Sequence, residues 1–460
     1  MRTDVPYRLD RLPWSRWHWG VVVGLGVSWV LDGLEVTVVG AIGPRLEESS
    51  GLGLTAVQVG EAATAYLAGA AMGALIFGGL TDRFGRKRLF LLTLAWYMTM
   101  TLFTATSWNF MAFAVFRGLA GAGIGGEYAA VNSAIDELIP SAHRGRVDIA
   151  VNGTWWLGTI VGSLASLLLL DPHVVDPRIG WRLTFVLGAV LAFAILFVRK
   201  TLPESPRWLM LHGRVHEANA VVACIERAVG HRAPDTATLE IARPASSGLQ
   251  AVLHVMLSRY PLRTFVSLTL MIAQAFLYNA IFFTEALVLG TFFGVPSSRV
   301  PLYIFPFAVG NLLGPLVLGW LFDTLGRRTM IAATYAISAL LLTATGFAFT
   351  SGWLDATTLT AAWCVVFFFA SAGASAAYLT VSETFPLQTR AMAIAIVYAI
   401  GTLAGGAVAP SLFGALIATR SPAAVFHGYL VASVAMLVAA FVELRFGVEA
   451  ARRMLEDIAA

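Results

Sequence analysis

Two stretches decide the fold: Gly78-Gly-Leu80-Thr-Asp82-Arg-Phe-Gly85-Arg86-Lys-Arg88 and Gly319-Trp-Leu321-Phe-Asp323-Thr-Leu-Gly326-Arg327-Arg328. Both read GxLxDxxGR, 241 residues apart. A second pair keeps step with them: Glu137-xx-Pro140-xxx-Arg144 and Glu383-xx-Pro386-xxx-Arg390. One such basic loop is a solvated charge cluster. Two copies at matching helix ends, each followed by ExxPxxxR, are an internal repeat, so the chain is two related halves.

The composition says what the halves are made of. Of 460 residues, 58% are apolar and 13% charged, and mean hydropathy is +0.75; an average soluble domain is about 25% charged. Too few charges are present to cover a water-soluble fold of this length. That excludes a cytoplasmic enzyme and a disordered chain. The net charge is +4, but the basic residues sit in short segments between apolar runs and form no patch for nucleic acid. Cys224 lies in a polar loop and Cys364 in an apolar run, so neither a disulfide nor a cysteine metal site is expected, and no cofactor is implied. Residues 1–16 carry six charges and no small-residue cleavage site ends the apolar stretch that follows, unlike a cleavable signal.

A bilayer-spanning helix needs about 20 apolar residues. Ten runs qualify when charges are forbidden, the one at 183–198 with help from Trp181 and Arg182. Two more appear when they are allowed: Trp17–Pro44, holding Asp32 and Glu35, and Phe110–Ala134, holding Arg117 and Glu127. The sequence therefore predicts an all-α integral membrane protein with twelve transmembrane helices in two pseudo-symmetric six-helix bundles. The expected divisions are an N-terminal segment at 1–16, a bundle at 17–200, a loop at 201–262, a bundle at 263–445 and a tail at 446–460. Within the loop, Trp208–Val229 reads as one amphipathic helix and Pro244-Ala-Ser-Ser-Gly as linker. With the N-terminus inside, the inner segments hold 16 basic residues and the outer ones five, leaving out the long loop. That predicts a multi-pass protein of the cell membrane with both termini cytoplasmic.

The repeated loops read as cytoplasmic gates. Gly85 and Gly326 permit tight turns, and Asp82 and Asp323 can sit against helix N-termini. Arg86 is expected to tie to Glu137 and Arg327 to Glu383, with Arg144 and Arg390 completing each set. Breaking these ties would let one half rock against the other.

These motifs resemble those of the major facilitator superfamily over nearly the whole chain. Arg117-xxx-Gly121-x-Gly123, the ExxPxxxRG ending at Gly145 and Pro203-Glu-Ser-Pro-Arg-Trp208 resemble its sugar-porter and organic-ion branch. Asp32-Gly33-Leu34-Glu35 is similar to the DGxD segment of aromatic-acid:proton symporters, with Glu in place of the second Asp. Gly125-Gly126-Glu127-Tyr128 resembles metabolite and organic-ion symporters. The resemblance implies proton-coupled or facilitated transport by alternating access, with Asp32 and Arg117 at the positions of a proton-sensing pair. Helix 5 lacks the sugar-porter glutamine pattern, and helix 7, with Gln274, Phe276 and Asn279, is one residue short of QQxxGxN. Both departures count against a hexose. Gly158-Thr-Ile-Val-Gly162 lacks the proline of many exporters, which favours uptake.

Helices 1 and 4 carry the charges that need a reason. Each costs at least ~2.5 kcal/mol at the centre of an isolated helix if unpaired. Asp32 lies ~22 Å up helix 1 and Arg117 ~10 Å into helix 4 from the opposite side, so Asp32 or Glu35 can meet Arg117. Asp32, Glu35 and Arg117 are the proton-coupling candidates. Arg117, Glu127, Asn152, Trp155, Trp156, Gln274, Tyr278 and Asn279 are the substrate-binding candidates, and Tyr303, Tyr378 and Tyr398 are further aromatics that could line a cavity. Of Trp155 and Trp156, one such contact is expected, because adjacent helix positions point about 100° apart. Glu285 reads as an interfacial residue. No histidine lies deep in a span, so protons must ride on carboxylates.

The expected function is a secondary active transporter, a monomer in the lipid bilayer, that takes up a small organic cargo with protons. Arg117 points to an organic or aromatic acid. The alternatives are a sugar or polyol porter and a proton-coupled exporter. A non-transporting sensor would need a larger signalling domain than 199–263 supplies, and no nucleophile–base pair in the spans points to an enzyme.

Overall fold

The computed structural model describes residues 2–200, 203–231, 239–240, 249–282, 284–295, 299–386, 389–451, 453 and 458. The first half holds helix 1 (Arg16–Glu47), helix 2 (Ala56–Phe84), helix 3 (Arg86–Ala105), helix 4 (Phe110–Leu138), helix 5 (Ser141–Gly153, then Trp155–Leu169) and helix 6 (Pro177–Lys200). The second holds helix 7 (Pro261–Phe282, then Glu285–Phe293), helix 8 (Val300–Thr324), helix 9 (Arg327–Thr350), helix 10 (Ala356–Thr384), helix 11 (Arg390–Gly401, a π-turn at Thr402–Gly406, then Val408–Ala418) and helix 12 (Pro422–Phe446). Twelve spans in two bundles of six are what the repeat predicts.

Eight of these helices, among the described residues, are long and apolar enough to cross a membrane alone. Of the other four, helix 4 carries ionisable side chains, helices 5 and 11 are broken, and in helix 6 the side chains of 194–200 lie outside the described residues. Large apolar side chains such as Met72, Leu168, Val190, Leu340 and Phe441 point outward and are more than half exposed. In water that would be costly; against lipid tails it is not.

Small residues set how closely the helices approach. A Cβ on Gly121 or Gly125 of helix 4 would run into the backbone carbonyls of Tyr66 and Ala70 on helix 2. The glycine face expected on helix 4 is therefore a packing seam. Gly33 of helix 1 faces the carbonyl of Trp155, and Gly158 of helix 5 faces that of Val30. The halves meet mainly where helix 5 packs on helix 8 and helix 2 on helix 11.

The connecting loop differs from the single helix expected over Trp208–Val229. It forms two, Pro206–Leu211 and Val215–Val229. Gly213, at φ 74°, turns the chain between them, and its N–H donates to the Met210 carbonyl. The predicted apolar side is buried at Leu209, Ala218, Val222 and Ile225. A short helix, Val5–Asp10, covers it with Val5 and Leu9. Arg8 holds Glu226 through Nε at 2.9 Å and Nη2 at 2.7 Å. The backbone of Arg2–Thr3 pairs with Leu239–Glu240, a two-residue ladder that the all-α reading did not include. The expected linker at 244–248 lies outside the described residues.

Candidate functional site

The end of the bundle with the repeated loops is closed by side chains from both halves. Gly85 and Gly326 have φ of 98° and 100°, the left-handed region where a side chain would be strained. Each lets a long helix turn directly into the next. Arg327 is gripped by Glu383, Nε to Oε2 at 2.9 Å and Nη2 to Oε1 at 3.1 Å, the tie expected from the motifs. Its Nη1 donates to Asp323 at 2.6 Å. The other oxygen of Asp323 accepts the backbone N–H of Arg146 at 2.9 Å, so this carboxylate bridges helix 8 and helix 5 across the two halves. Beyond it, Gly145 leaves the space the Arg327 guanidinium occupies. In the first half, the side chains of Asp82 and Arg86 lie outside the described residues, so the Arg86–Glu137 tie does too. Arg144 is buried and reaches Asp10 at 3.3 Å and the Arg453 carbonyl at 3.4 Å; Arg390 is buried and reaches the Phe385 carbonyl at 3.2 Å.

Two glutamates missed in the sequence complete the symmetry. Glu204 accepts the backbone N–H of Lys87 at 3.3 Å, at the start of helix 3. Glu449 accepts that of Arg327 at 2.8 Å, at the start of helix 9. Each places a negative charge on the first turn of a helix, where the dipole favours it. The expectation that Asp323 would cap a helix start is corrected: Glu449 caps helix 9, and Asp323 holds helix 5. The glutamate of Pro203-Glu-Ser-Pro was a signal for Glu204; Glu449 stands in no such motif.

Midway along the bundle, between the halves, is a cavity of about 190 Å³. Asn152, Trp155, Trp156, Gln274, Tyr278 and Asn279, all expected to bind cargo, line it. Both tryptophans do so, where one contact was expected. Helix 5 breaks at Thr154, whose hydroxyl donates to the carbonyls of Val151 and, on helix 1, Gly26. Both indoles lie in the first turn after that break, and their rings meet edge-on with centroids 4.7 Å apart. Tyr378 and Tyr398 also line the cavity, whereas Tyr303 packs against the core of the second half. Trp29, Tyr66, Phe282, Ser371, Ser375 and Thr402 complete most of the wall and were missed. They lie in apolar or small-residue runs with nothing to separate them from packing residues.

Asp32 is the one charged side chain among the described lining residues. It accepts a hydrogen bond from the Tyr66 hydroxyl at 3.1 Å and from Trp155 Nε1 at 2.8 Å. Arg117 lies elsewhere. Its guanidinium is ion-paired with Glu35, and the two side chains are 1% and 2% exposed. Thr101 donates to the other oxygen of Glu35 at 3.3 Å. Of the two carboxylates expected within reach of Arg117, Glu35 is the partner; the Asp32–Arg117 pair that the resemblance implies is corrected, and so is Arg117 as a cargo residue, because it does not line the cavity. The reason is geometric. Helix 4 enters from the end opposite the gates, and Arg117, seven residues in, meets the carboxylate farther along helix 1. Three positions also turn Glu35 about 60° from Asp32, leaving Asp32 toward helix 5. Tyr66 joins the two pairs: its hydroxyl holds Asp32 while Arg117 sits over its ring, 4.2 Å from the centroid. Glu127 does not line the main cavity either. It borders a small side pocket with Ser28, Trp29, Asp32, Ile124 and Val131.

Known proteins share this architecture. The family model described as "Sugar (and other) transporter" matches residues 36–460. A niacin transporter, NiaP, from Acinetobacter baylyi is 27% identical over 99% of both chains. A gallate transporter from Pseudomonas putida is 25% identical over 90% of this chain and 88% of its own. Among solved structures, the major facilitator superfamily proton:xylose symporter XylE superimposes with a TM-score of 0.77, at 18% identity, over 96% of this chain and 98% of that one. At that identity the superposition speaks for the fold, and the family match covers all but the first 35 residues. The chain is a membrane transporter, not an enzyme, and belongs to the sugar (and other) transporter family.

Proposed function

We propose that the protein takes up a small aromatic acid together with a proton by alternating access. The observation that carries this is the cavity itself: aromatic walls, amides at Asn152, Gln274 and Asn279, and Asp32 as its charged group. Aromatic faces suit a flat ring stacked or edge-on, and the amides supply donors for a carboxylate. The names of two relatives, niacin transporter and gallate transporter, denote carboxylates on an aromatic ring.

Asp32 makes the proton part of the cargo site. Ionised, it gives the cavity a negative charge that repels an anion. Protonated, it becomes neutral and adds a donor. Proton binding therefore precedes anion binding, and the two leave together on the far side. Arg117 takes no part in holding cargo in this conformation, because Glu35 neutralises it; the pair ties helix 4 to helix 1. The Asp323 bridge keeps the cytoplasmic side shut while cargo enters from outside. The two gate loops and the basic-residue asymmetry support a reading in which that side, with both termini, faces the cytoplasm of a cell-membrane protein. In this reading the protein works as a monomer.

The lining favours one second reading. Because the described lining includes no basic residue, the aromatic cage around Asp32 also suits a cargo with a cationic nitrogen, drawn to both the carboxylate and the ring faces. Uptake of labelled nicotinate, benzoate, gallate, nicotinamide, a quaternary ammonium and xylose into proteoliposomes, with and without an imposed inward proton gradient, separates the readings. Gradient-dependent accumulation of an aromatic carboxylate is expected. Accumulation of xylose alone, or of the quaternary ammonium alone, would sink the aromatic-acid reading.

A further inference from the structure

Glu285 has no place in the mechanism above, yet it is one of the most deeply buried acids in the molecule. Its side chain is 1% exposed, and among the described residues neither carboxylate oxygen has a hydrogen-bond partner. No ion pair among the described residues includes it. It opens the short segment Glu285–Phe293, just past the break in helix 7. Phe282, three residues earlier, lines the cavity. The segment packs on Val408–Ala418 of helix 11, which itself follows a π-turn. Two discontinuous helices therefore meet beside the cavity, on the side away from the gates.

The groups facing Glu285 are the Cys364 thiol on helix 10 and the Tyr429 hydroxyl on helix 12. Val408–Ala418 brings no titratable residue, and neither does the rest of Glu285–Phe293. Among the described residues, nothing there compensates a negative charge. An ionised, unpaired carboxylate in an apolar interior is far costlier than a neutral acid. The docked segment therefore requires the proton on Glu285, and ionisation favours a state in which the carboxylate reaches water.

We propose that Glu285 is a second proton site, separate from Asp32, that holds a proton while the outer segment of helix 7 is docked and releases it when the segment moves away. The pH on that face then sets how long this side of the carrier stays shut. Binding and release occur on one face, so the site adds no proton to the transport stoichiometry.

The test needs no cargo. The full-length protein in lipid nanodiscs is titrated with pH and read in two ways. Infrared spectroscopy follows the carbonyl stretch of a protonated carboxyl in apolar surroundings. Hydrogen–deuterium exchange follows the amides of Glu285–Phe293, each variant being compared with wild type at the same pH. Glu285→Gln and Glu285→Met are both neutral and unbranched, so either can stand in for the protonated acid if the other folds poorly. At neutral pH, wild type and Asp32→Asn should show a band that both Glu285 variants lack. At alkaline pH the wild-type segment should exchange at least several-fold faster than in the variants, and at acidic pH the three should coincide. The proposal is overturned if the variants keep every protonated-carboxyl band, or if their segment exchanges like wild type at all pH values. Failure of aromatic-acid uptake would leave these readouts untouched.

Discussion

Replacing Asp323 with Asn should open the gate side of the carrier. Asp323 uses one oxygen for Arg327, at 2.6 Å, and the other for the backbone N–H of Arg146, at 2.9 Å. Asn keeps a single acceptor. Its carbonyl oxygen would stay with the charged guanidinium, and its amide would then face the Arg146 N–H, donor against donor. The lost bond is the one that crosses between the halves. Asp323 is 5% exposed, so solvent does not replace it in the closed state. A hydrogen bond to a charged group contributes about 1.5–3 kcal/mol, which raises the open-to-closed ratio by roughly 10- to 150-fold. Electron-electron double resonance can read that ratio from labels at Arg83 and Thr324, both exposed, after Cys224 and Cys364 are changed to serine. A longer-distance population should appear in Asp323→Asn. Glu383→Gln, which breaks a tie within the second half only, should shift it much less. An unchanged distance distribution in Asp323→Asn, or an equal shift in both variants, would refute the bridge.

Further outcomes follow from the same contacts. Glu35→Gln strands the buried Arg117 guanidinium and should cost about 3–5 kcal/mol in detergent unfolding; Glu35→Gln with Arg117→Gln should recover much of it, and strictly additive losses would mean the pair does not couple. Asp32→Asn fixes the neutral form, so it should abolish accumulation driven by a pH difference while keeping counterflow exchange; accumulation equal to wild type would remove Asp32 as the proton carrier. Cys224, exposed in the connecting loop, should react with an impermeant thiol reagent in inside-out vesicles and not in intact cells, and the reverse would invert the orientation.

The fold was legible because lipid imposes a simple rule: long apolar runs, with charge only at their ends or for a reason. The repeat gave the two halves and the Arg327–Glu383 tie, since GxLxDxxGR and ExxPxxxR mark both partners. The cavity was half legible. Amides and indoles such as Asn152, Gln274 and Trp156 are conspicuous inside apolar helices, and they line it. Ser371, Ser375 and Thr402 are not conspicuous, because small hydroxyls satisfy themselves on their own helix. Ser375 indeed donates to the Ser371 carbonyl at 3.1 Å. The partner of Arg117 was out of reach for another reason. Depth along two helices leaves Asp32 and Glu35 nearly equivalent, and only the rotation of helix 1 about its axis, set by the close approach of Gly33 to helix 5, tells them apart.

One-proton symport through Asp32 has a measurable electrical consequence. With Arg117 neutralised by Glu35, the charge of the cavity is set by Asp32 and the cargo. The empty carrier returns with Asp32 ionised, at −1. Loaded with a proton and a monoanion, the site is again −1, because the proton cancels Asp32 and the anion restores the charge. The two crossings then carry the same charge, the cycle moves none, and voltage does no net work. A neutral or zwitterionic cargo behaves differently. The loaded site is 0, the empty one −1, and each turn brings one positive charge inward, worth about 2.3 kcal/mol per 100 mV. At equilibrium that is close to a 50-fold accumulation per 100 mV. Had Arg117 been free in the cavity, each site charge would be one unit more positive, but the difference between crossings would be unchanged. Voltage therefore reports the cargo and its protons, whatever the fixed charges. In proteoliposomes with a valinomycin-clamped potassium potential, negative inside, and equal pH on both sides, nicotinate entering as a monoanion with one proton should not accumulate. Substantial accumulation would mean that more than one proton travels with it or that it crosses without net charge, and one-proton symport of the anion through Asp32 would be wrong.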